Sequence, residues 1–209
     1  MVNTTKLTLP FIHLNLRFNP FGELPLKYRA KLSVIDSACF IDHLDKPRAV
    51  LQLLGDKGHG KTTHLLTLKE LLPTSGYVHF PEDTRPKIPS GSPLLLDEAQ
   101  RIPWWVRRRV FKGMKPLVLG THRDFSRELT KWGREVWTVQ AGIKTDRIQL
   151  DKIVRKRIEF ARRQAGEVPV VTMNTIDKLL DKYGADIRAI ERRLYDLFQL
   201  LEGPCNVEM

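Results

Sequence analysis

The sequence predicts an α/β fold, with a mostly parallel sheet covered by helices on both faces and then a small α-helical domain. Three observations carry this. Short apolar runs of strand length recur at Ala49–Leu54, 77–80, Leu94–Asp97, 116–120 and 136–139. Helical spacing fills several of the gaps between them, the alternation that builds parallel sheets. After Ala141-Gly142 the strand signal stops and only helical periodicity continues.

Taken in order, residues 1–30 read as an N-terminal arm, with Leu14, Leu16 and Phe18 alternating before a turn at Asn19-Pro20-Phe21-Gly22. Residues 31–45 carry helical spacing at Leu32, Ile35, Phe40, Ile41 and Leu44. The run Ala49–Leu54 suits a buried strand. A helix follows from Thr62 and stops at Pro73. Between 77 and 94 little room remains for a crossover helix, and four prolines in 81–93 favour an extended connection. Trp104–Lys112 reads as a helix. Three more helices follow over 146–164, 174–183 and 186–201, with Asp186 as an N-cap and Gly184 as a stop. The expected division is an arm (1–30), an α/β core (31–141) and a helical lid (142–209).

Residues 55–62 read Gly-Asp-Lys-Gly-His-Gly-Lys-Thr and fit G-x-x-x-x-G-K-[ST], the phosphate-binding loop or P-loop. Strand before and helix after complete its context. A triphosphate needs many aligned donors, and the backbone N–H groups of a helix N-terminus supply them. The candidate nucleotide-binding residues are therefore Gly55, Asp56, Lys57, Gly58, His59, Gly60, Lys61, Thr62 and Thr63. Lys61 reaches the β- and γ-phosphates of ATP, and the Thr62 hydroxyl ligates Mg2+. The run Leu94-Leu95-Leu96-Asp97-Glu98-Ala99-Gln100 ends a strand in two acids, 35 residues after Thr62. Asp97 suits Mg2+ and Glu98 suits activation of the attacking water.

These two motifs together resemble an AAA+ ATPase, over about 18–201. The resemblance implies more residues. Thr121, ending the fourth strand with His122 beside it, corresponds to sensor 1. Arg188, in Tyr183-Gly184-Ala185-Asp186-Ile187-Arg188, corresponds to the sensor 2 arginine. Phe21, in Asn19-Pro20-Phe21, corresponds to the segment near the adenine. An arginine finger donated to a neighbouring subunit has Arg123, Arg127 and Arg134 as candidates, with Arg127 favoured for its expected place on an exposed helix. Within the family the Asp-Glu-Ala-Gln ending and small size are most similar to DNA-transposition regulators and to initiator and helicase-loader ATPases. That similarity implies a homo-oligomeric ring or filament on DNA, and a protein partner. No winged helix or other separate DNA-binding domain can be read.

Charge bears on the same question. The 209 residues carry +11, but Arg101 to Arg163 hold 18 Lys/Arg against 6 Asp/Glu, which leaves −1 for the rest. Basic charge confined to one stretch points to a polyanion such as DNA. Within it, Arg107-Arg108-Arg109 with Lys112, and Arg155-Lys156-Arg157, are the clusters offered to phosphate, while Trp104 and Trp105 read as core more readily than as base-stacking surfaces. Two cysteines, Cys39 and Cys205, give no disulfide framework or metal cluster. No membrane-spanning run and no signal peptide can be read, so a cytoplasmic location is expected. The leading function is ATP hydrolysis as a nucleotide-dependent switch on DNA. The alternative is a nucleotide-binding scaffold for a protein partner with little turnover, and a small-molecule kinase fits less well.

Overall fold

The computed structural model describes residues 10–35, 37–141 and 146–209. The chain divides into two compact units. One is Leu26–Lys144; the other joins Met1–Pro25 to Thr145–Met209. The expected boundary residues 142–145 and the first nine residues of the arm lie outside the described part.

The first unit is the α/β core. Its strands are β1 (Ala49–Leu54), β2 (Gly76–His79), β3 (Leu94–Asp97), β4 (Leu117–Thr121) and β5 (Glu135–Gln140). All pair in parallel, in the order β2-β3-β4-β1-β5. Successive side chains alternate between two faces, and both are buried. Val50, Leu94, Leu96, Leu117 and Leu119 pack with Phe111, Phe125 and Leu129. Leu51, Leu53, Leu95 and Val118 pack with Phe40, Leu44, Leu65 and Leu68. Helices α4 (Trp104–Lys112) and α5 (Ser126–Lys131) thus cover one face, and α2 (Ala38–Leu44) and α3 (Lys61–Leu71) the other. A strand buried on both sides needs apolar residues at every position, which is why these strands stand out as continuous runs. The one polar residue inside β1, Gln52, is fully satisfied. Its two Nε2 hydrogens face Asp124 Oδ1 (2.8 Å), Ser126 Oγ and Thr138 Oγ1, and its Oε1 accepts from Phe125 N at 2.7 Å.

Residues 80–93 link β2 to β3 without a helix. Of the helical spacing over 31–45 only the second half forms a helix, α2; a short helix α1 (Leu26–Arg29) lies before it, and 30–35 are in turns and irregular backbone. Val34 and Ile35 in that gap are β-branched and weak helix formers, and residue 36 lies outside the described part.

The second unit packs α6 (Arg147–Ala161), α7 (Met173–Tyr183) and α8 (Ile187–Gln199) around Leu150, Val154, Ile176, Leu179, Ile190, Leu194 and Phe198. Each helix has a side-chain N-cap: Asp146 accepts from Gln149 N, Thr172 from Thr175 N and Asp186 from Ala189 N. Gly184, at φ 55°, ends α7. Two-residue strands β6 (Val170–Val171) and β7 (Asn206–Val207) pair in parallel, too short to register in the sequence.

The described part of the arm belongs to this unit. Leu14, Leu16 and Phe21 join its core, Leu16 bridges Arg162, and Arg17 N donates to Ala161 O at 2.8 Å. Arg157, expected on a phosphate-binding surface, is instead buried. Its guanidinium donates to Pro20 O (2.7 Å), Gly22 O (2.9 Å) and Glu191 Oε1 (2.7 Å), fastening the Asn19–Gly22 turn to α6 and α8. Arg155 pairs with Asp151 at 2.7 Å. Among the described residues no helix is long and apolar enough to cross a membrane.

Candidate functional site

The ends of β1, β3 and β4 lie side by side, and chain leaving parallel strands at their carboxyl ends is where α/β sheets bind ligands. From β1 the backbone enters the glycine loop. Gly58 and Gly60 have φ of 97° and 81°, a left-handed conformation that side chains resist. Gly60 is the N-cap of α3, so the loop turns directly into a helix N-terminus.

Lys61 is buried in the first turn of that helix. Its Nζ donates to Gly55 O at 2.7 Å and Asp56 O at 2.8 Å, and lies 3.4 Å from His122 Nε2. The next residue, Thr62, donates from Oγ1 to Asp97 Oδ2 at 2.8 Å. The two motifs, 35 residues apart, therefore meet through one hydrogen bond. Asp97 is fully buried. Its Oδ2 also faces Tyr77 OH (3.3 Å) and His79 Nδ1 (3.1 Å) from β2, and its Oδ1 has no hydrogen-bond partner. Burial, then the Asp97 carboxylate, push the Tyr77 phenol well above the usual tyrosine range, so it stays a donor. Gly120 permits this crowding: a Cβ there would stand 2.9 Å from Asp97 Oδ1 and 2.7 Å from Leu65 Cδ1.

Glu98 follows in the left-handed region at φ 60°, ψ 44°, a strained backbone for a residue with a Cβ and one that recurs at functional sites. Three side chains orient its carboxylate. Gln100 Nε2 donates to Oε2 at 2.7 Å, Arg101 Nη2 lies 3.5 Å from Oε2, and His122 Nε2 lies 3.4 Å from Oε1. Gln100 also accepts from His122 N at 3.3 Å. His122 thus stands between Lys61 and Glu98.

The structure brings together Gly55, Lys61, Thr62, Asp97 and Glu98, with His122 as the residue after β4 that faces them. Thr121 is placed differently. It is buried, and its hydroxyl donates to Arg123 O and accepts from Arg123 N, both at 2.9 Å, a local turn that occupies it. Asp56 and Lys57 are exposed, and Arg127 is exposed on α5. Arg134, one of the finger candidates, is a buried structural residue bonded to three backbone carbonyls. Phe21 and Arg188 lie in the helical unit: Phe21 is 5% exposed with its ring edge-on to Phe198 at 5.0 Å, and Arg188 is exposed in the first turn of α8. Trp104 and Trp105, expected in the core, are exposed at the start of α4. Sequence reading missed Tyr77, His79, Gln100 and Arg101 as site residues. The first two lie on β2, beside β3, and the others follow Glu98, so position relative to the motifs was the available signal.

His64, one turn into α3, titrates against this architecture. Its Nδ1 lies 3.0 Å from Gly60 O, so the neutral ring donates to that carbonyl. Burial holds its pKa below the ordinary value of 6.5, against the smaller raising effect of that bond. The unfolded chain therefore protonates His64 first as pH falls, and stability declines from about pH 6.5 downward. Above that range the residue contributes no slope. Urea midpoints at pH 7.0 and 5.5 are expected to separate more in the wild type than in His64→Gln; parallel shifts would exclude His64 as the cause.

Ten chains of solved structures are similar in fold. Among them is NtrX from Brucella abortus in complex with ADP, with a TM-score of 0.54 and 13% identity. The likeness is one of fold. It covers 88% of this chain and 56% of that one, so this chain spans little more than half of its neighbour's length. No protein-family model matches the chain, and no curated protein does.

Proposed function

We propose that this chain binds ATP with Mg2+ and hydrolyses it, acting as a nucleotide-dependent switch of AAA+ type. One observation carries the reading: Lys61, Thr62, Asp97, Glu98 and His122 converge at the carboxyl ends of three neighbouring parallel strands. The ADP bound by the fold neighbour agrees with it.

In this reading the loop N–H groups and the α3 N-terminus receive the phosphates, and the Lys61 ammonium meets the β- and γ-phosphate oxygens. Thr62 and Asp97 would hold Mg2+. Their chemistry fits: a hydroxyl beside a buried carboxylate, one of whose oxygens lacks a partner. Among the described residues no group of three His, Cys, Asp or Glu could hold a metal ion, so the cation would be shared with the nucleotide phosphates. Once bound, it screens phosphate charge. Glu98 accepts a proton from water as the water oxygen bonds to the γ-phosphorus and the bond to the ADP oxygen breaks. His122 orients the Glu98 carboxylate through Oε1.

The fuller reading has subunits assembling on DNA as a ring or filament, as in transposition regulators or loaders, with a protein partner receiving the switch. The basic stretch from Arg101 supports the DNA part. The exposure of Arg127 suits a finger reaching a neighbouring subunit, and that of Arg188 suits a contact with nucleotide. Thermal melting tests the nucleotide reading. ATP with Mg2+ at about a hundredfold over Kd stabilises by about 2.7 kcal/mol, a rise of about 5–10 °C for a chain of this size. Lys61→Ala is expected to lose that rise. A wild-type chain that shows no shift at millimolar ATP would refute the reading.

A further inference from the structure

Helix α4 has two unlike faces. At 100° per residue, Trp104, Trp105, Arg108, Arg109 and Lys112 fall within one arc of about 140°, and all five are exposed. The opposite arc holds Val106, Arg107, Val110 and Phe111. Phe111 is fully buried in the sheet core, and Arg107 is paired with Glu128 at 3.4 Å. The exposed arc therefore carries two tryptophans and three cations, and the helix has no acidic residue. Trp104 and Trp105 are 61% and 62% exposed, with ring centroids 6.1 Å apart and planes at 86°. Lys112 and Arg108 lie 4.2 and 5.6 Å from the centroid of the Trp132 ring, which backs them.

Leaving two indoles in water forgoes the burial that most large apolar side chains obtain. Protein interfaces also favour tryptophan and arginine, but their cores are depleted in charge and in lysine, whereas this face carries three cations, Lys112 among them, and no acid. Here the two rings share the first turn of α4 and the three cations follow on the next two turns of the same face. That pattern suits a ligand with π-faces and a regular row of negative charges. Duplex DNA covers its base faces by stacking, whereas a single strand offers them.

We propose that the exposed face of α4 binds single-stranded DNA, with Trp104 and Trp105 stacking on unpaired bases and Arg108, Arg109 and Lys112 meeting backbone phosphates. This rests on the DNA part of the function proposed above and names the form of DNA and the residues. Stacking would account for affinity with little sequence preference, and the phosphates for its salt dependence.

The test is a titration of the full chain, with ATP and Mg2+, against an oligo-dT strand and a duplex of equal length, read by tryptophan fluorescence and anisotropy. The single strand is expected to quench tryptophan and bind tighter than the duplex. Trp104→Ala/Trp105→Ala should weaken oligo-dT binding about 30-fold or more with unchanged melting temperature, and Trp104→Phe/Trp105→Phe should restore most of it. Arg108→Ala/Arg109→Ala/Lys112→Ala should lower the salt slope by about 2. If the alanine pair binds oligo-dT like the wild type, the stacking face is overturned while the DNA reading stands. If the wild type binds neither DNA, both fall. If polyglutamate binds with the same tryptophan dependence, the face takes an acidic protein and the proposal is likewise overturned.

Discussion

Glu98→Gln is expected to bind ATP as tightly as the wild type and to hydrolyse it about 10²- to 10⁴-fold more slowly, the range for removal of a positioned general base. The substitution keeps the shape and the left-handed backbone, so binding by the glycine loop and Lys61 should survive. What it removes is the proton acceptor. The amide can still accept from Gln100 Nε2, now 2.7 Å from Oε2, through its oxygen, so local structure should hold. Two measurements separate the outcomes: nucleotide affinity by equilibrium titration and single-turnover hydrolysis. Wild-type turnover in this variant would remove Glu98 from the catalytic role. Loss of binding together with turnover would instead make Glu98 a structural residue, its strain at φ 60° supporting the fold of the loop.

Arg134→Ala is expected to cost stability rather than activity, by about 3 kcal/mol or more, since hydrogen bonds to charged groups are worth about 1.5–3 kcal/mol each. Arg134 is 4% exposed, and its guanidinium donates to Phe111 O (2.9 Å), Val110 O (2.9 Å) and Lys115 O (2.6 Å). Two of these carbonyls belong to the last turn of α4, whose acceptors have no partner inside the helix. A cation there also meets the negative end of the helix dipole. Burial, and then the charge of Arg48, pull its pKa down to about 10, which still leaves the group charged at neutral pH. Alanine would strand two acceptors, Phe111 O and Lys115 O, because Val110 O also accepts from Gly113 N at 3.1 Å, and would leave a cavity. A fall in melting temperature of roughly 6–12 °C is expected. Arg134→Lys should recover only part of it, because an ammonium cannot reproduce the fork. A change within about 0.5 kcal/mol by urea unfolding would show that water satisfies those carbonyls instead.

How far these features were legible depends on where their partners lie. Strands β1, β3 and β4 were legible because both faces are buried and most of their positions are apolar. The Asp186 cap was legible because it and Ala189, whose N–H it accepts, are three residues apart. The glycine loop, Asp97 and Glu98 were legible because their residue types stand at a fixed spacing, G-x-x-x-x-G-K-[ST] and an apolar run ending in two acids. Arginines were not. Arg134, Arg157 and Arg108 look alike in a charge count, yet one holds carbonyls of α4, one fastens the Asn19–Gly22 turn, and one faces solvent. The first two roles are set by acceptors brought from 19 to 137 residues away. Trp104 and Trp105 show the same gap: two apolar residues read as core until the burial of Phe111 fixes which side of α4 faces the sheet.

By itself the sequence determined the α/β class, the five core strands, the glycine loop and the acid pair. Local rules of burial, turn geometry and ligand chemistry act there within a few residues. Only the tertiary structure decided the strand order that sets Thr62 against Asp97, the choice of His122 over Thr121 to face Lys61 and Glu98, and the membership of Phe21 in the helical unit. The reason is physical. A hydrogen bond or a packed ring depends on which distant group arrives within a few ångströms, and that is fixed by how the elements stack rather than by the residues on either side.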